Sequence, residues 1–500
     1  MQNFKKMKYF KYIKALKFPV VLALLCSLQS CSDFLEQEPG TQTSIKEQLS
    51  DKKGVLTALN GVYYDLRAIH TSPTFAVYSD IQGGNLKFSP TYSDDPNRNG
   101  IITVPGDIEP FYSFNDQALD SDLSSFYSNG YKIINEANLI IEFVDGLKDA
   151  TETEKKQIKA EALTARAYMH FLLSEFYSQN YSYTADASHL GIVYSTKSIT
   201  NGLQYASRET AANTYAHIIE DLTTAVSFYS DNALLNGPAY SYFNKNNTKA
   251  LLSRVYLSKN DWQKAYDTAN DVISNSGVSL VESSNYVAQW EQPDLPISEI
   301  LMEFTITKNE EGITGSSLAA LFGYTNSTTF QKYVASQDLI DLYEASDIRK
   351  QLFLVQPLTT LVNLQPAQLN YYFSKKFQGN PGYVAFRLSE QYLIRAEAAL
   401  KLNNTDQAKK DINTIRARAN ATVLNDSENL QDALFLERRK ELCFEGHLFF
   451  DIVRNHKDVS RNDGCLSENC SLTYPSPKFV LPIPKSNLNL NHNLKQNESY

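Results

Sequence analysis

Four residues between positions 92 and 98 could together hold a polar ligand: Tyr92, Asp94, Asn97 and Arg98. A tyrosine ring offers a flat apolar face with a polar tip, and the carboxylate, amide and guanidinium beside it match hydroxyl groups. That set suits a ligand with apolar C–H faces and many hydroxyls, such as a sugar ring. Phe111 and Tyr112 are second choices, and Trp290, Phe322, Tyr324 and Tyr333 form a later group. With 31 Tyr, 26 Phe and 2 Trp in the chain, most rings must be core, so ordinary packing competes at every candidate. Trp290 stands in Ala288-Gln289-Trp290-Glu291-Gln292-Pro293, a polar setting that favours exposure.

Catalysis finds no support. H-E-x-x-H, G-x-S-x-G, G-x-G-x-x-G and the P-loop are all absent. The 7 His are scattered, and among 56 acidic residues some pair always resembles a glycosidase couple, so that signal decides nothing. We expect a binding protein and not an enzyme. No cofactor or metal site is expected; the many Asp and Asn admit calcium, but no EF-hand-like spacing supports it. Formal charge is −9, and loss of the first 30 residues, with six Lys and no acid, leaves −9 − 6 = −15. Such acidity argues against nucleic acid and against anionic lipid headgroups, while neutral ligands are indifferent to it.

The amino terminus addresses the compartment. A basic stretch, Lys5 to Lys17, precedes an apolar run of eleven residues, 18–28, too short to span a bilayer and right for a signal-peptide core. Leu28-Gln29-Ser30-Cys31 resembles the lipobox of bacterial lipoproteins, with Gln29 where a small residue is more usual. The resemblance implies a signal peptide over 1–30, cleavage before Cys31 and lipidation of Cys31; an ordinary signal peptide cut elsewhere is the alternative. Residues 31–500 then form a single domain held to the membrane by lipid alone. Cys465 and Cys470, five apart in a polar loop, could close a disulfide in an oxidising compartment, and Cys443 reads as a buried small hydrophobe.

The elements that must position these residues read as mainly α. Val55, Leu59, Val62 and Leu66 make one helical face. Further helical stretches cover about 131–144, 153–176, 214–229 and 248–258. Leu257, Ala265, Ala269 and Val272 share the spacing of Leu400, Ala408, Ile412 and Ile415, each set crossing a short polar turn. This predicts stacked tetratricopeptide-like helix pairs, with Asp261 and Thr405 or Asp406 as N-caps. Loop-rich regions of about 71–122 and 277–373, the latter with short β-type runs such as 300–307, read as ligand-binding loops on the helical scaffold. Asp80, Gly84 and Asn85 read as a turn.

Taken in order, the landmarks resemble the SusD/RagB family of outer-membrane nutrient-binding lipoproteins. They include Cys31-Ser32-Asp33-Phe34-Leu35, Asn129-Gly130-Tyr131 with Asn138, and Arg166-Ala167-Tyr168. Next come Phe386-Arg387-Leu388 and Arg395-Ala396-Glu397, then Leu436-Glu437-Arg438-Arg439-Lys440-Glu441-Leu442 with Phe444-Glu445-Gly446-His447. The tail adds Leu481-Pro482-Ile483-Pro484 and Asn497. Arg166 and Arg395 are expected to bridge carboxylates or helix ends, the 437–445 charges to form an ion-pair network, and the tail to cover helix ends. The resemblance implies four tetratricopeptide-like helix pairs with an irregular loop-rich part. It also implies a lipid-anchored position on the cell surface at the outer membrane and capture of an oligosaccharide for a SusC-type TonB-dependent transporter. A peptide or other nutrient is the alternative ligand, and a protein-only helical scaffold the alternative class. The resemblance favours the two loop regions without matching particular ligand residues.

Overall fold

The computed structural model describes residues 44–500 except 120, 122, 201, 203, 292–296, 307–317, 378–381 and 426. The expected signal peptide and Cys31 lie outside the described residues. The chain divides into two units, Met1–Ser50 and Asp51–Tyr500. The described part of the first is a single turn of helix, Ile45–Gln48, capped by the Ser44 side chain.

In the second unit Asp51 caps α1 (Lys52–His70), whose Val55, Leu59, Val62 and Leu66 are buried as the periodicity predicts. The helices α3 (Ser124–Val144), α4 (Glu152–Tyr177), α5 (Ala211–Phe228), α6 (Lys245–Ser258), α7 (Trp262–Asn275), α8 (Leu388–Lys401) and α9 (Thr405–Arg418) then pack in chain order, each on the next. α4 is central. A Thr151–Glu154 capping box starts it, and every residue from Ala160 to Ser174 is buried, as in a helix enclosed on all sides. Between α3 and α4, Gly130 lies against Met169 and Leu173, so a Cβ there would press on both side chains.

The two repeats predicted from spacing are the hairpins α6–α7 and α8–α9. Asn260 and Asn403 make their turns at φ +63° and +61°, a left-handed conformation that Asn tolerates. The second cap differs from expectation: Asn404, not Thr405 or Asp406, accepts the Gln407 N–H at 3.2 Å. Asp261 stands at the first cap position without a side-chain cap bond.

An arginine locks the stack twice in the same way. Arg166 on α4 grips Asp221 on α5 through two bonds of 2.6 and 2.7 Å and reaches back to Asn138 on α3 at 2.8 Å. Arg395 on α8 grips Asp411 on α9 at 2.7 and 2.8 Å and reaches back to Asn270 on α7 at 2.6 Å. Each fork holds three successive helices in register.

The loop-rich regions hold more order than their composition suggests. Residues 73–83 form α2 (Pro73–Gly83), with Pro73 in its first turn and Phe75 to Gly83 buried. β1 (Leu86–Phe88) follows. β2 (Ile300–Phe304) pairs with β8 (Tyr383–Arg387). β3 (Tyr324–Asn326) and β4 (Thr329–Phe330) form a hairpin. β5 (Tyr333–Ala335), β6 (Phe353–Val362) and β7 (Gln365–Ser374) join β1 in a four-stranded sheet of order β1-β5-β7-β6, antiparallel throughout. Val334, Leu358, Tyr371 and Phe373 make its core, with Tyr324 and Phe330 packed against them.

α10 (Leu430–Glu441) and α11 (Leu448–Arg454) complete the body, and α12 (Lys485–Leu490) lies in the tail. The tail covers the end of α4: Leu481 N–H donates to the Phe176 carbonyl at 2.8 Å, and the Asn497 amide donates to that of Tyr177 at 2.9 Å. Cys465 and Cys470 are joined in a disulfide and Cys443 is free and buried.

Candidate functional site

Residues 92–98 form an exposed loop with a fixed base. Thr91 N–H donates to the Ile101 carbonyl at 2.8 Å, and Gly100 N–H to that of Thr91 at 2.9 Å. Gly100 itself lies at φ +85°, and a Cβ there would sit 3.2 Å from the backbone of Thr359, Thr360 and Leu361. Only glycine lets the loop come that close to β6, where Leu361 N–H donates to the Gly100 carbonyl at 2.9 Å. On the other side Ser89 is pinned to the Gln331 and Lys332 carbonyls, both at 2.9 Å.

On this base the Tyr92 ring is 43% exposed, and its hydroxyl donates to Asp94 at 2.9 Å. That bond raises the tyrosine hydroxyl above its ordinary range. Asp95 accepts both the backbone and side-chain N–H of Asn97, at 2.9 and 3.1 Å, and pairs loosely with Arg98 at 3.8 Å. The loop thus presents an aromatic face whose polar tip is held, with amide and guanidinium donors beside it. Hydroxyl-rich rings can stack on the face and bond to the donors.

Tyr324 is half-buried on the β3–β4 hairpin, its ring 5.0 Å from that of Phe373. The other five proposed platforms are buried and serve as packing. Phe111 meets Tyr78 edge-on at 5.1 Å, and Tyr112 lies beneath the Arg461 guanidinium at 4.3 Å. Tyr333 faces Phe88 across the β1–β5 ladder. Phe322 stacks on Phe444 at 5.3 Å. Trp290 is turned inward beneath Lys376, whose ammonium is 4.9 Å from its ring, while its neighbour Glu291 reaches out to Lys375 at 2.6 Å. A ring covered on both faces offers no stacking surface.

The hairpin that pins the Tyr92 loop falls within the predicted 277–373 loop region but holds none of the candidate residues. The β6–β7 hairpin carries no charged residue over 353–374, and Gln368 donates to Thr359 at 2.8 Å beside the loop's base. The absence of charge over 22 residues is the signal that marks it. Asp80, read as part of a turn, is structural: buried, it accepts the Phe444 N–H and the Asn85 amide at 2.9 and 2.8 Å. Among the described residues, no group of three or more His, Cys, Asp or Glu could hold a metal ion. No described helix is long and apolar enough to cross a membrane.

A stack of helix hairpins displaying a small sheet and its pinned loop defines the class. Two family models match separate parts of the chain, the SusD family over residues 367–500 and "Starch-binding associating with outer membrane" over 33–257. The chain belongs to the SusD family. It is 23% identical to a SusD-like protein of Formosa agariphila, over 87% of this chain and 89% of that one. It is 36% identical to the starch-binding protein SusD of Bacteroides thetaiotaomicron over a stretch covering 23% of this chain and 21% of that protein. The crystal structure of a SusD superfamily protein from the same Bacteroides species matches with a TM-score of 0.75 at 26% identity, covering 89% of this chain and all but 1% of the other, 99%.

Proposed function

We propose that the protein is an outer-membrane, cell-surface carbohydrate-binding protein that captures an oligosaccharide and passes it, unaltered, to a SusC-type TonB-dependent transporter. The carrying observation is the exposed Tyr92 ring, its hydroxyl held by Asp94, on a loop pinned to the sheet. Family membership, the outer-membrane description of one matching model and the starch-binding name of a relative support the ligand class and the location. The lipobox-like run ending in Cys31 supplies the anchor.

Calorimetric titration with maltoheptaose tests the reading. Tyr92→Ala should weaken binding about tenfold, the loss of one good stacking contact, with no fall in Tm because the ring packs on little. Unchanged affinity removes Tyr92 from the site. Release of reducing ends during the titration would mean turnover and sink the binder reading.

A further inference from the structure

Away from the Tyr92 loop, α3, the stretches 193–199 and 204–206, and α12 line an open cleft of about 280 Å³. Among the described residues, no Asp, Glu, Lys, Arg or His lines it, although charged residues make up 21% of the chain. The half-buried Tyr131 contributes its ring from α3, backed by the buried Tyr127 with centroids 5.0 Å apart, and Leu490 of α12 adds an apolar side chain that is 55% exposed. Ser128 and Gln204 are exposed at its rim, and their side chains make no hydrogen bond with the described residues. Their donors and acceptors are therefore open to a ligand.

The walls are fixed before any ligand arrives. Tyr131 donates to the Val193 carbonyl at 3.0 Å, and the Asn491 amide donates to that of Ala206 at 2.7 Å. Arg208, buried, donates to the carbonyls of Gly191 at 2.7 Å and Lys495 at 3.2 Å and to the Asn497 amide oxygen at 2.7 Å. Without a carboxylate in that set, its fork spends its donors on tying the tail, and so α12, to the loop. Preformed walls lower the cost of ordering a site on binding.

We propose that this cleft is a second saccharide subsite, taking a single neutral pyranose unit. Its volume lies near the lower end for small-molecule sites, enough for one ring and not for a chain. An uncharged lining offers no ion partner to a phosphorylated, sulfated or amino sugar, and their desolvation would go uncompensated. The Tyr131 ring with serine and amide groups beside it is the neutral chemistry that a hydroxylated ring uses. The choice of saccharide rests on the carbohydrate-binding reading above; the place does not.

Saturation-transfer NMR on the full chain, with the methyl glycosides of glucose, galactose, mannose and xylose, tests it. At least one should bind saturably with a Kd of roughly 1–10 mM, the range expected of one ring with few hydrogen bonds. Ser128→Trp, which fills the cleft from an exposed helix position, should weaken that binding at least about tenfold. Gln204→Ala should weaken it about threefold to tenfold, the loss of one hydrogen bond, and decides the matter if the tryptophan lowers Tm. Tyr92→Ala should leave it unchanged while weakening maltoheptaose. No saturable glycoside, binding that survives these cleft variants, or binding lost with Tyr92 overturns the proposal. Glycoside binding at the cleft in a protein that ignores maltoheptaose would overturn the assignment of a maltoheptaose site at Tyr92 alone.

Discussion

Glu161 sits in the middle of the most enclosed helix, where it accepts Tyr63 Oη–H at 2.7 Å and the Gln157 amide at 3.0 Å. Burial raises its carboxyl from 4.5 to about 7, against the two hydrogen bonds, which lower it. A carboxyl with a raised folded pKa stabilises while protonated, so its contribution is present below 4.5 and is lost as pH rises through about 7. Glu161→Gln removes the titration. Between pH 5 and pH 8 the stability difference should move in the variant's favour by roughly 2–3 kcal/mol, read from urea melts at each pH. A difference that stays constant would mean Glu161 does not titrate there. Residue type alone could not foresee which aromatic side chains reach solvent. Tyr92 lies on a loop held by its backbone, whereas Trp290 ends a five-residue helix, 286–290, whose phase turns the ring in and Glu291 out. Polar neighbours marked the segment as surface, but a short helix has two faces, and the indole took the other.

Helices were the legible elements because their apolar stripes repeat over many turns: α1 and the α6–α7 and α8–α9 hairpins could be read from spacing alone. α2 was not, since Phe75 to Gly83 are buried whether apolar or not, and a helix buried all round leaves no stripe. The β6–β7 hairpin lacked its usual sign for a different reason. Its turn is Asn363-Leu364, both at positive φ, with leucine where glycine is ordinarily found. The two arginine locks combine legible and hidden parts: Arg166 and Arg395 could be picked out on Ala-rich helices, but Asp221 and Asp411 only meet them once the helices stack. Removing one partner of a buried pair strands a charge. Asp411→Ala should therefore destabilise by about 3 kcal/mol, and Asn270→Ala, which removes one neutral acceptor from the same fork, by about 1 kcal/mol. Equal losses in chemical denaturation would mean that packing, and not the charge, sets the cost.

At the scale of the molecule the chain is bound together by an ionic core that joins segments far apart in sequence. Arg349, Lys376, Arg387, Arg418 and Lys440 face Glu299, Asp347, Glu437, Glu441 and Glu445, five cations against five carboxylates, all buried. Arg387 alone reaches Glu299 and Glu441 at 2.6 Å and Glu445 at 2.7 Å, so it ties β8 to the middle and the end of the charged 437–445 run. Burial by itself would raise the Glu441 carboxyl, but Arg418, Arg387 and Arg349 hold it well below the usual carboxylate range; Arg349 and Lys440 likewise lower Glu437. Carboxyls depressed in the fold stabilise above their unfolded value of about 4.3 and lose that contribution as pH falls through their folded values. This sign is opposite to that of Glu161, so stability should fall on both sides of a maximum near about pH 4.5, steeply into acid and more gently up to about pH 7. Glu441→Gln leaves three arginines facing one charge fewer. At pH 7 it should cost about 3 kcal/mol, and the gap to wild type should close as acid neutralises the wild-type carboxylate, both curves being read by urea denaturation. Curves that run parallel down to pH 3 would show that Glu441 contributes shape and not charge, and the ionic core would lose its claim to hold the distant segments together.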